Sequence, residues 1–174
     1  MTRITAHITI EAPAETVWAV LAHQFDRIGA WATAIPSSSP LPRASLVEGA
    51  PVAGRVCHTG MRLVTEVTER IVTYDEQRRT LTYQAENPPR FLKAARNRWQ
   101  VEALSDQRTR VTMEATVEPR GVIGWLLYLT LRVQLARAVP QFVEDLKHHL
   151  EQGRPSPRKQ RQLDAAKRRS GRWR

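Results

Sequence analysis

Between residues 121 and 151, Gly124, Tyr128, Leu131, Leu135, Val139, Phe142, Leu146 and Leu150 recur at steps of three or four. That spacing lays an apolar stripe along one side of an α-helix about eight turns long. Gly121 opens the run after Pro119-Arg120, and Gly153 with Pro155 and Pro157 closes it. Pro140 has no amide to bond back to Ala136, which predicts a kink across 136–140. A helix this long with one stripe needs a broad apolar surface to lie on. The opposite side of its first half is apolar too: Val122, Leu126, Leu129 and Val133, flanked by Trp125. A covering loop, a second copy or a membrane surface would each account for that side.

Upstream, the pattern is that of a sheet. Residues 3–11 alternate strictly, with Ile4, Ala6, Ile8 and Ile10 on one face and Thr5, His7 and Thr9 on the other. Pro13 suits a first helical turn, with Glu15 near the positive end of the helix dipole. Val17, Trp18, Val20 and Leu21 supply that helix's apolar side, and a second short helix over 25–34 carries Phe25, Ile28 and Trp31. The stretch 36–42 breaks it. Strands are then predicted over 44–47, 52–59, 62–74, 80–86, 95–104 and 109–118. Within them Leu63, Val67 and Ile71 share a face, as do Leu81, Tyr83 and Ala85, then Asn97, Trp99, Val101 and Ala103, then Val111, Met113, Ala115 and Val117. Short turns such as Asp75-Glu76-Gln77 make the order an antiparallel meander. The expected class is α+β: six to seven curved antiparallel strands around a long C-terminal helix, with two short helices after strand 1. One sheet face meets water, the helix covers the other, and a cavity between them is where a ligand would sit.

The net charge of +10 is unevenly spread. From Gly153 on, nine of the 27 Lys and Arg residues meet one of the 17 acids, Asp164, a balance of +8. Residues 1–152 keep 18 basic and 16 acidic side chains, only +2. The chain therefore divides into a ligand-binding domain, 1–152, and a basic tail, 153–174. The tail is poor in apolar residues and is expected to be disordered, with a transient helix over 163–169. It would bind nucleic acid or an anionic membrane through non-specific charge, or simply keep the chain soluble. The outer face of the 121–135 helix is the candidate homodimer surface. Residues 4–10 alternate rather than forming a signal-peptide core, and the apolar run 122–131 is too short to span a bilayer. The single Cys57 fits a reducing compartment, so a cytoplasmic protein is expected.

This order of elements resembles the START-like (Bet v 1-like, SRPBCC) superfamily of helix-grip proteins, and within it the bacterial polyketide cyclase/dehydrase group. The residues that carry the resemblance begin with Ile10-Glu11-Ala12-Pro13-Ala14-Glu15-Thr16-Val17-Trp18, then Leu21, Trp31 and Ile35. Gly54-Arg55, Glu66, Asp75, Leu81-Thr82-Tyr83 and the closing Leu146-Lys147 continue it. His23, where many relatives carry an acid, and the basic tail depart from it. The resemblance implies a helix-grip fold and an internal cavity for a hydrophobic or amphipathic small molecule, lipid-like or polyketide-like. In aromatase/cyclase relatives such cavities position a poly-β-ketone and assist proton transfer.

The sequence has no Gly-rich phosphate loop, nucleophile elbow or Cys/His metal array, so no cofactor is expected. Glu144 and His148, with His149 adjacent, have metal-ligand spacing but fall opposite the apolar stripe and read as a solvated face. Cys57 reads as a buried structural thiol. Inward-facing polar and aromatic residues give the cavity candidates Trp31, Tyr83, Asn97, Trp99, Met113 and Tyr128. Glu69 shares the face of Val67 and Ile71, where a carboxylate must pair, shift its pKa or meet a ligand. His58 shares the face of Val56. If the chain is a cyclase or dehydratase, His58 and Glu69, with Tyr83 as hydrogen-bond donor, are its candidate acid/base set.

Overall fold

Strand pairing in the computed structural model, which describes residues 2–42, 46–59 and 65–170, yields one antiparallel sheet in the order β1-β7-β6-β5-β4-β3-β2. The side chains at 123, 128, 129, 131, 169 and 170 are likewise outside the description. The strands are β1 (Thr2–Ile10), β2 (Ser37–Pro40), β3 (Gly54–His58), β4 (Glu66–Asp75), β5 (Thr80–Ala85), β6 (Leu92–Ser105) and β7 (Arg108–Pro119). Helix α1 (Ala14–Trp18) runs into a π-helical turn, Ala19–His23, and a 3₁₀ helix, Phe25–Ala30, follows. Helix α2 spans Gly121–Gln152 and α3 spans Pro157–Ser170.

Alternation explains most of the sheet. Ile10, Ile71, Leu81, Tyr83, Trp99, Val101, Val111, Met113 and Ala115 are buried in one core with Val17, Trp18 and Leu21 of the first helical segment and Val139, Val143 and Leu146 of α2. β1 and β7 pair in unbroken register from Thr2–Val117 to Ile10–Thr109, which brings the end of the chain's sheet back to its beginning. Helix α2 packs against those two strands. It runs unbroken through Pro140 and ends at Gly153, whose φ of 63° is the left-handed conformation that a Cβ disfavours.

Four expectations are corrected. Of the edge strand predicted at 44–47, residues 44 and 45 lie outside the described residues and 46–47 form no strand, while the described edge strand is Ser37–Pro40. Residues 62–64 of the strand predicted over 62–74 also lie outside the described residues. The Ser38 hydroxyl accepts from Gly29 N at 2.9 Å and donates to Asp26 O at 2.6 Å, so the 3₁₀ helix holds this short strand in place. Pro40 is tolerated because β2 is the sheet edge. Second, the helix predicted over 25–34 stops at Ala30. Third, β3 faces the other way: Arg55 and Cys57 point inward while Val56 is half-buried and His58 exposed. The pairs Arg55–Glu69 and Cys57–Val67 set that face.

The tail departs most. The segment expected to be disordered forms α3, anchored at the body by a polar contact rather than an apolar one. Lys159 is fully buried, and its Nζ donates to Ile35 O at 2.8 Å, Pro36 O at 3.2 Å and Gln162 Oε1 at 2.9 Å. Gln162 Nε2 donates to Thr33 O at 3.2 Å. The 33–36 turn belongs to no strand, and the one ammonium satisfies two of its carbonyls at once. A count of apolar side chains does not register such an anchor.

Candidate ligand cavity

A cavity of ≈ 370 Å³ lies between the inner face of the sheet and α2. That volume is at the lower end of the range for small-molecule sites. Its walls are mostly apolar: Ile35 from the 33–36 turn, Val67 and Ala115 from the sheet, and Leu135, Ala138, Val139 and Phe142 from α2. Thr33 and Gln134 add polar groups, and Gln134 is exposed, so it marks the mouth.

One end is charged. Arg55, 3% exposed, donates from Nε to Glu69 Oε2 at 2.6 Å and from Nη1 to Phe25 O at 2.9 Å. Its guanidinium lies over the Phe25 ring at 3.9 Å and near the Tyr83 ring at 4.8 Å, and those two rings meet edge to face at 5.0 Å. The cation is thus held by a carboxylate, a carbonyl and two π faces. Gly54 makes this approach possible, because a Cβ there would run into the Glu69 carbonyl. Cys57 Sγ sits 3.7 Å from the same carboxylate oxygen.

Burial dominates the titration of the neutral groups. It pushes the Cys57 thiol up to about 12, Arg55 opposing and Glu69 adding. It also raises the Tyr83 hydroxyl above its ordinary range, again with Glu69 adding. Burial is the largest influence on Arg55 and works against its charge, but Glu69, with Tyr83 and Cys57 adding to it, together outweigh burial, and the guanidinium holds its proton more tightly than usual. At neutral pH this end therefore presents an Arg–carboxylate pair, a protonated thiol and a protonated phenol.

Of the predicted site residues, Glu69, Tyr83, Asn97 and Met113 line the cavity together. Trp99 and Trp31 do not; both are buried in the core. Trp99 faces inward but lies one cross-strand pair further along than Tyr83–Asn97, beside Leu81 and Met113. His58 is excluded as well, because the reversed face of β3 puts it outside, 3.6 Å from Glu66 on a half-exposed surface. The acid/base set His58, Glu69 and Tyr83 therefore does not converge. Tyr128 is a residue of α2 whose side chain lies outside the described residues. Away from the cavity, Glu144 pairs with Arg158 at 3.2 Å and His148 Nδ1 lies 3.2 Å from Arg154 O. Arg55 was overlooked. The signal was its alternation with Cys57, which puts both on one face of a strand beside Glu69.

An antiparallel sheet wrapped on a long C-terminal helix, with a cavity between them, is the helix-grip architecture of START-like proteins. The family model described as polyketide cyclase / dehydrase and lipid transport matches residues 1–151, and the chain belongs to that family. Among solved structures it is similar to a START superfamily protein from Mycobacterium smegmatis, at 13% identity and a TM-score of 0.63 over 86% of this chain and 97% of that one. A protein from Thermus thermophilus is similar at 16% identity and a TM-score of 0.66, over 86% and 97%. The Zhui aromatase/cyclase from a Streptomyces species is similar at 14% identity and a TM-score of 0.64, over 89% and 99%. No curated protein sequence matches. At such identities the likenesses carry the fold.

Proposed function

We propose that the protein binds a neutral amphipathic small molecule, lipid-like or polyketide-like, inside this cavity. The observation that carries the reading is the pairing of an apolar chamber with one buried Arg55–Glu69 couple. The couple has no net charge, so a ligand carboxylate would meet Glu69 as well as Arg55. A hydroxyl or carbonyl would instead find hydrogen-bond partners in Arg55, Tyr83 and Asn97. A cyclase or dehydratase needs a proton acceptor and donor at the reacting carbons. Among the described cavity residues the one carboxylate is already bonded to Arg55, and the thiol and phenol hold their protons, so binding is the reading this geometry favours.

The test is titration of the full-length chain with a fluorescent fatty alcohol and its fatty acid analogue. The alcohol is expected to bind more tightly. Ala138→Trp, which fills the chamber from α2, is expected to abolish binding while the melting curve stays cooperative. Equal binding by that variant would refute the cavity as the site. Tighter binding of the acid would refute the assignment of a neutral head.

A further inference from the structure

The first half of α2 turns an apolar side to solvent. Val122, Trp125, Leu126 and Val133 are 88%, 55%, 72% and 52% exposed. Val122, Leu126 and Val133 follow one line along the helix, at about 100° per residue, while buried Gly124 and Val139 lie on the sheet side. Arginines rim this face. Arg132 and Arg137 fall on its two flanks, and Arg120 and Arg90 edge a shallow hollow at the helix start with Phe91 and Val122. All four are exposed. Between Glu118, which pairs with Lys93, and Glu144, which pairs with Arg158, the chain has no acidic residue.

We propose that this face docks on the surface of an anionic bilayer. Val122, Leu126 and Val133 would enter the boundary between headgroups and acyl chains, with Trp125 at headgroup level and the arginines on the phosphates. The charge distinguishes this occupant from a second copy, since a two-fold contact through the same face would bring like-charged rims together. The helix lies on the membrane rather than across it: no helix among the described residues is long and apolar enough to span. The sheet-facing side of the same helix, through Leu135, Ala138 and Val139, is a wall of the cavity. Docking therefore sets the ligand chamber one helix away from lipid. The inference that the ligand is exchanged with the bilayer rests on the binding function proposed above; the docking itself does not.

Vesicle co-sedimentation of the full-length chain tests this, with phosphatidylcholine alone and with phosphatidylserine added to give the vesicles a negative surface potential. Binding is expected to the anionic vesicles and not the neutral ones, and to weaken as salt screens the surface. Leu126→Asp and the pair Arg132→Glu with Arg137→Glu, all at exposed positions, are each expected to lower the partition roughly tenfold or more. Arg161→Ser with Arg168→Ser on α3 is expected to lower it much less. Three results would each overturn the proposal: no binding to anionic vesicles, loss only with the α3 variant, or a dimer that Leu126→Asp dissolves without any vesicle binding. Ala138→Trp separates the two readings. It should still sediment with vesicles, so vesicle binding without probe uptake by the wild type refutes the cavity alone, and probe uptake without vesicle binding refutes docking alone.

Discussion

Replacing Lys159 by Met tests how α3 is held. Methionine keeps most of the aliphatic stem and removes the ammonium, leaving the Ile35 and Pro36 carbonyls without their donor. A buried acceptor stripped of its partner costs about 1–3 kcal/mol. Against that, the ammonium is itself disfavoured there: burial lowers the Lys159 pKa from 10.5 to about 8, with Asp145 opposing the fall. The net loss at pH 7 should therefore be about 1–3 kcal/mol rather than the sum of two broken bonds. For a chain of this size that lowers Tm by roughly 3–10 °C. The pH dependence has a definite sign. The folded-state pKa lies below the unfolded one, so between about 8 and 10.5 the unfolded chain binds more protons and Lys159 adds stability as pH rises. A methionine at this position has no proton to lose and would lack that gain. The gap between wild type and Lys159→Met, measured by urea denaturation, should widen across this window, while Cys57 and Tyr83 cancel in the difference. A gap that stays constant or narrows as pH rises through this window would refute the polar anchor.

Glu69→Gln should cost about 3–5 kcal/mol in chemical denaturation, because it leaves the buried Arg55 cation without its carboxylate; replacing both partners with apolar residues should recover most of the loss. Cys57 is 1% exposed with its thiol pushed up to about 12, so it should label negligibly with a disulfide reagent at pH 8 until denaturant is added. Prompt labelling of the native chain would place it elsewhere. Trp99→Ala should cost about 3–5 kcal/mol as a core truncation yet leave fluorescent-alcohol affinity largely intact, whereas Ala138→Trp should do the opposite. If Trp99→Ala instead abolishes affinity without loss of stability, Trp99 belongs to the site.

Elements whose signal is local were legible in the sequence. The stripe from Leu135 to Leu146, capped by Gly153, marks α2 because helical period and the left-handed cap depend only on near neighbours. The inward faces of β1, β5, β6 and β7 follow from alternation, and with them the cavity positions of Tyr83, Asn97 and Met113. Three things were decided by tertiary partners. The inward face of β3 depends on its register with β4, since a one-residue shift would turn His58 inward in place of Cys57 and carry Arg55 to the outer face. The strand Ser37–Pro40 exists because it hydrogen-bonds at the sheet edge and through Ser38 to the 3₁₀ helix, although its own composition reads as a turn. The order of α3 rests on Lys159 and Gln162 meeting carbonyls of the 33–36 turn more than 120 residues away in the chain. Periodicity reports which side of an element is apolar. Where a buried charge finds its counter-charge or its carbonyls is a property of the assembled fold.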